Sequence, residues 1–242
     1  MKKIKTAENK KKAGPQKKSS LTIQIALGVA ILFALAAVGG LLVNFAETPN
    51  TTLSPTWRKE LDASVSALTE KIEKDPKDAD AYVSLAKVEQ QLGNNQKAVE
   101  DATHALMLDK NVNHAYIIRA WAYGGLGQFD RAVKDCDTAI SITGKDEEGY
   151  NTRAWNKINL KQYQSALDDL NKAAALNPNY AQIYVNMGWA HNEQKEYVKA
   201  IADLTRALAI DPGNRAALTL RADAYEQSGD SAKAAEDRAQ LK

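Results

Sequence analysis

Two patterns of hydrophobic and polar residues divide the chain. Residues 21–43 form an uninterrupted run without a charged side chain. From residue 57 onward, apolar residues recur every three or four positions, as they do on one face of an amphipathic helix. In the first such segment, which runs into Pro76, they are Leu61, Val65, Leu68 and Ile72. The pattern predicts one long apolar helix, then an all-α domain that begins with a capping helix over residues 57–78.

The long apolar segment, residues 21–45 in all, is predicted to be a transmembrane anchor. As a helix its uncharged run is roughly 34 Å long, enough to cross a bilayer. Residues 1–20 contain eight lysines and one acid, Glu8, and such basic flanks stay on the cytoplasmic side. The C-terminal domain is therefore expected outside the cytoplasm, in the periplasm if the source is bacterial. A cleaved signal peptide is the alternative, although its apolar region is usually only about 7–15 residues long.

A short linker is expected between the anchor and the helical domain. Residues 46–56 are rich in Asn, Thr, Ser and Pro, which favour turns and extended backbone. Beyond it the chain repeats itself with a period of about 34 residues. One position of the repeat is held by Tyr82, Tyr116, Tyr150, Tyr184 and Leu218. Small residues follow four positions later, at Ala86, Ala120, Ala154, Gly188 and Ala222.

This spacing resembles the tetratricopeptide repeat (TPR), a pair of antiparallel helices, A and B, that pack where small residues let their backbones approach. The resemblance implies an all-α, right-handed superhelix of about five helix pairs. Its repeats would span residues 79–112, 113–146, 147–180, 181–214 and 215–242. Gly93, Gly127 and Gly229 fall in the turns between A and B helices, where a left-handed helix end suits glycine.

An aspartate recurs once in every repeat, and an arginine in three of them. The aspartates are Asp101, Asp135, Asp169, Asp203 and Asp237, and the arginines are Arg119, Arg153 and Arg221. A partly buried guanidinium needs a carboxylate, so we interpret these residues as structural ion pairs. One aspartate per repeat does not provide the converging oxygens of a calcium site.

The inner A helices carry the candidate binding residues. In the family, helix A lines a concave groove, and the resemblance places Trp121, Trp155 and Trp189 in a row on its floor. Around them it places Ile117, Asn151 and Val185 at the fifth repeat position and His114, Glu148 and Gln182 at the second. Aromatic rings and amides suit an extended peptide, since rings provide rigid contact area and amides bond its backbone. The alternative is that each indole merely packs between neighbouring A helices.

Charge and composition narrow the function. The lysine-rich tail accounts for the overall charge of +2, so the remainder has more acidic than basic residues, which disfavours nucleic-acid binding. Cys136, the single cysteine, falls at a core position, and the three histidines are too scattered for a metal site. No catalytic motif is present, and neither a cofactor nor a metal is expected.

The sequence therefore predicts a membrane-anchored scaffold or adaptor that binds a protein or peptide in its TPR groove. Membrane-tethered TPR proteins that assist envelope-complex assembly or c-type cytochrome biogenesis have the same layout, which indicates a class and not a pathway. A structural spacer or a self-association module, with homo-oligomers, is the alternative.

Overall fold

The computed structural model describes residues 54–241, and every regular element in this range is an α-helix. In chain order the helices are α1 (Pro55–Lys74), α2 (Ala79–Gln91), α3 (Asn95–Leu108), α4 (Asn113–Gly125), α5 (Phe129–Thr143), α6 (Glu147–Asn159), α7 (Tyr163–Leu176), α8 (Ala181–Glu193), α9 (Tyr197–Ile210), α10 (Arg215–Ser228) and α11 (Ser231–Ala239). The predicted basic tail, transmembrane helix and most of the linker lie outside the described residues. Within them, no helix has both the length and the apolar character required for a membrane span.

Helix α1 begins two residues earlier than predicted and ends four residues earlier. The Ser54 hydroxyl accepts a hydrogen bond from the backbone N–H of Trp57 at 3.2 Å, and Pro55 follows in the first turn. This combination of a serine cap and an early proline favours helix initiation. The helix stops at Lys74 because Pro76 disfavours helical backbone in the residue before it. Trp57 and Leu61 of helix α1 pack against Leu92. Helix α1 thereby caps the first repeat.

Helices α2–α11 form five consecutive A–B pairs. In three pairs the turn contains a glycine with positive φ, namely Gly93, Gly127 and Gly229. Lys161 and Lys195 adopt the same left-handed backbone in the third and fourth pairs, with φ of 60° and 61°. The turn geometry is therefore kept even where a Cβ atom makes it less favourable.

The predicted small residues lie where the two helices of each pair approach. Ala86, Ala120 and Ala154 have no exposed surface. At the equivalent Gly188, a methyl group in place of the hydrogen would overlap the side chain of Leu204 on the facing helix α9. The A and B helices are thus packed too closely for a larger residue at this position.

Contacts between repeats place the A helices on the inner side of the stack. Each A helix contacts the A helix of the next repeat, in the pairs α2–α4, α4–α6, α6–α8 and α8–α10. The B helices α3, α5, α7 and α9 each contact the A helices that precede and follow them, and α11 contacts α10. Closer approach of the A helices curves the stack toward them, so their free faces line the concave surface of the superhelix.

The recurring aspartates form the predicted ion pairs in three repeats. Arg119 donates to both carboxylate oxygens of Asp135, from Nε at 2.7 Å and from Nη2 at 2.8 Å. Arg153 with Asp169, and Arg221 with Asp237, repeat this bidentate geometry. The third guanidinium nitrogen reaches the preceding B helix, at Thr103, Asp137 or Thr205. Each arginine therefore ties three helices together.

Candidate functional site

The three predicted tryptophans form a continuous row across α4, α6 and α8. The ring centroids of Trp121 and Trp155 are 6.2 Å apart, and those of Trp155 and Trp189 are 6.4 Å apart. Neighbouring rings are tilted by 40° and 51°. These distances and tilts lie in the favourable range for aromatic pairs, so the row is a cohesive surface and not three separate side chains.

The members of the row differ in exposure. Trp155 is only 7 % exposed, and the edge of its ring lies so close to Gly124 that a Cβ atom there would overlap it. Trp121 and Trp189 are partly exposed. The two interpretations made from the sequence therefore apply to different rings: the central indole is mainly packing, whereas the outer two present surface.

Two aromatic residues at the starts of B helices widen the row. Phe129, the first residue of α5, meets Trp155 edge to face at a centroid distance of 6.0 Å. Tyr163, the first residue of α7, donates its hydroxyl to Glu193 Oε2 at 3.4 Å. The other oxygen of Glu193 accepts from Trp189 Nε1 at 3.3 Å. Burial and the charge of Glu193 raise the pKa of Tyr163, so its hydroxyl stays a donor.

A chain of side-chain amides runs beside the row. Gln182 donates to Asn186 Oδ1 at 3.1 Å, and Asn186 donates to Asn151 Oδ1 at 2.9 Å. The two ends of this amide chain, Gln182 Oε1 and Asn151 Nδ2, are buried and have no hydrogen-bond partner among the described residues. Buried polar groups are normally satisfied. The amide chain thus has one unused acceptor and one unused donor.

The other predicted site residues divide into buried and accessible ones. Ile117, Asn151 and Val185 are at most 3 % exposed. They lie beneath the groove floor and cannot contact a ligand unless the floor rearranges, because neighbouring A helices cover the fifth repeat position. His114 is exposed, and its Nε2 lies 3.9 Å from Glu148 Oε2. Burial raises the pKa of Glu148.

Sequence reasoning missed Phe129, Tyr163, Asn186 and Glu193. The aromatic residues had a detectable signal, since Phe129, Tyr163 and Tyr197 recur at the same position of successive repeats. The contacts of Asn186 and Glu193 left no signal in the sequence, because both depend on how successive A helices lie side by side.

The metal-ligating and nucleophilic side chains of the described residues are dispersed. Among residues 54–241, no group of three or more metal-ligating side chains converges. Cys136 is fully buried, and burial raises the pKa of its thiol well above the ordinary value. His191 lies between Asp203, 2.6 Å from Nδ1, and Glu196, 3.7 Å from Nε2. In the fourth repeat this histidine contacts the aspartate that an arginine binds in the second, third and fifth repeats.

Models of the tetratricopeptide repeat match the chain at residues 79–112, 114–146, 147–180 and 181–214. These residues correspond to the first four helix pairs, and together they make up more than half of the chain. No protein with curated annotation matches the chain in sequence.

Solved structures of several TPR proteins are similar to this one. TTC0263 of Thermus thermophilus is 18 % identical with a TM-score of 0.60, covering 86 % of this chain and 98 % of its own. MamA residues 41–end from Desulfovibrio magneticus RS-1 is 21 % identical with a TM-score of 0.57, and the match covers 67 % of this chain and 92 % of the MamA chain. YrrB, described as a TPR protein with an unusual peptide-binding site, is 21 % identical with a TM-score of 0.53. The match covers 73 % of this chain and 91 % of the YrrB chain. At these identities the likeness concerns the fold.

Proposed function

Because the chain belongs to the tetratricopeptide-repeat family, we propose that it is a protein-interaction scaffold that holds an extended polypeptide segment in its concave groove. The observation that carries this proposal is the row of Trp121, Trp155 and Trp189 on the inner helices. Partly exposed aromatic side chains are the most frequent energetic centres of protein interfaces. The partly exposed indole surface of Trp121 and Trp189 on the inner helices favours a binding groove over a spacer without a ligand.

The spacing of the row supports an extended ligand. A β-strand advances about 3.2–3.4 Å per residue, so alternate side chains on one face are about 6.4–6.8 Å apart. The indole centroids are 6.2 and 6.4 Å apart.

Membrane attachment and the cellular role are the finer parts of the proposal. We propose that residues 21–45 anchor the scaffold, on the grounds of their uncharged sequence and the lysines before them. Resistance of the full-length protein to extraction from membranes at alkaline pH is expected, and release into the soluble fraction would refute the anchor. An extracytoplasmic role in envelope-complex assembly or c-type cytochrome biogenesis stays a prediction.

Loss of the two accessible indoles is expected to abolish partner binding. The double variant Trp121→Ala/Trp189→Ala removes the exposed ends of the row and leaves the buried Trp155 in place. Truncation of such centres typically costs about 2 kcal/mol or more each, so the two together are expected to weaken binding by roughly a hundredfold or more. Proteins that the full-length wild type captures from native membranes should be depleted in the capture by the double variant.

Trp57→Ala is the matched control for this experiment. It removes a partly buried indole of α1 that packs against Leu61 and Leu92, outside the row. Proteins captured by the wild type should be retained by this control. A partner bound equally by the wild type and the double variant would exclude the groove as the binding surface.

A further inference from the structure

The end of the groove formed by α8 and α10 combines an aromatic ring with uncompensated negative charge. Glu193 accepts hydrogen bonds from two neutral donors, Trp189 Nε1 and Tyr163 Oη. Among residues 54–241 it forms no ion pair. Its carboxylate is exposed and lies directly beside the last indole of the row.

The adjoining helix α10 adds further acceptors. Asp223 and Glu226 share one cation, Arg238, whose nitrogens are 3.5 Å and 2.8 Å from them. Asn192 on α8 donates to the backbone carbonyl of Leu220 on α10 at 2.9 Å, which ties the two helices together. The Oδ1 atom of Asn192 is buried and has no partner among the described residues. This end of the groove thus has more acceptors and negative charge than its own donors can satisfy.

At the opposite end of the groove, a lysine replaces the tryptophan. In the first repeat, the residue equivalent to the tryptophans is Lys87, which is exposed and forms no ion pair within the described part of the chain. On the next A helix, α4, His114 is also exposed, and its Nε2 lies 3.9 Å from Glu148 Oε2. Glu193 therefore attracts a cationic side chain at the Trp189 end, whereas Lys87 disfavours one at the equivalent position of the first repeat.

We propose that the segment bound in the groove carries an arginine or lysine that lies against Trp189 and Glu193. The indole face attracts a cation and the carboxylate neutralises it. The stack uses this chemistry on its own residues, with Arg206 over Tyr184 at 5.6 Å and Lys233 over Tyr225 at 5.3 Å. No lysine or arginine of residues 54–241 lies over Trp189 in this way. The proposal rests on the proposed function, and it places the cationic side chain of the segment at the Trp189 end of the groove.

The test is a selection of random displayed dodecapeptides on the full-length protein, followed by affinity measurements on the most enriched peptide. Wild-type protein is expected to enrich arginine or lysine next to apolar residues. Replacement of that cation by glutamine should weaken binding about tenfold, the effect of a desolvated cation–π contact with a carboxylate partner. Glu193→Lys should cause a similar loss.

Asp168→Lys is the matched control, because it makes the same charge change at an exposed position of α7, on an outer helix. Affinity for the selected peptide should be unchanged in this variant. Peptides without arginine or lysine enrichment, or a peptide indifferent to Glu193→Lys, would overturn the inference. If such a peptide still requires Trp121 and Trp189, the proposed function stands and the cation alone is refuted. If no enriched peptide depends on either feature, both proposals fall.

Discussion

Replacing Trp155 by alanine is expected to lower the free energy of unfolding by about 3–5 kcal/mol, the usual cost of deleting a buried tryptophan. The indole is 7 % exposed and contacts Trp121, Phe129 and Trp189, so its loss leaves a cavity bordered by three rings. Chemical denaturation of the full-length protein, followed by circular dichroism, measures the effect. Because each repeat contacts only its neighbours, the unfolding transition should also broaden.

Trp121→Ala is the comparison for this variant. Its ring is partly exposed, so the surrounding side chains and water can fill the vacated space at a lower cost. We expect a loss of stability of less than about half that of Trp155→Ala. Equal losses, or a loss below about 1 kcal/mol for Trp155→Ala, would mean that the row does not pack as described.

The second large effect is expected from Asp169→Asn, at about 3 kcal/mol of lost stability. The carboxylate is almost fully buried and accepts from Arg153 and from Lys157 Nζ at 2.7 Å. An amide cannot compensate two cations, and both are largely buried. Arg153 keeps a bond to Asp137 at 2.6 Å, which limits the loss. Denaturation at pH 7 measures it.

Asp101→Asn, the same substitution at the same repeat position, is expected not to destabilise the protein. The first repeat has Leu85 where three others have arginine, and burial together with the charge of Glu89 raises the pKa of Asp101 to about 6. A carboxyl group whose pKa is raised by folding destabilises the protein as pH rises from about 4 through 6. Asparagine removes that cost, so at pH 7 stability should be unchanged or up to about 1 kcal/mol higher, after allowance for solvent screening. A loss equal to that of Asp169→Asn would contradict this account.

The repeat, the helix pairs and the ion pairs were predictable because each depends on residues at fixed spacing. The structure contains the small residues expected at one repeat position, such as Ala86 and Gly188. It also contains the expected bidentate pairs, such as Arg119 with Asp135. The order of the tryptophans was predictable for the same reason. These features belong to the repeat itself.

Exposure within the groove was not predictable in this way. It depends on how far successive A helices approach, which differs between repeats. Gly124 lets the ring of Trp155 sink into the floor, whereas Trp121 and Trp189 stay partly exposed. The same close approach buries Ile117 and Asn151, which the repeat position alone assigned to the surface.

The most direct test of the groove as a binding surface is fluorine NMR of the full-length protein labelled with 5-fluorotryptophan. The chain has four tryptophans, so four resonances are expected, each assigned by a single Trp→Phe variant. On addition of the selected peptide, the resonances of Trp121 and Trp189 should shift while that of Trp57 stays in place. Saturating peptide that leaves both of those resonances unmoved, or that shifts only Trp57, would contradict a binding site on the indole row.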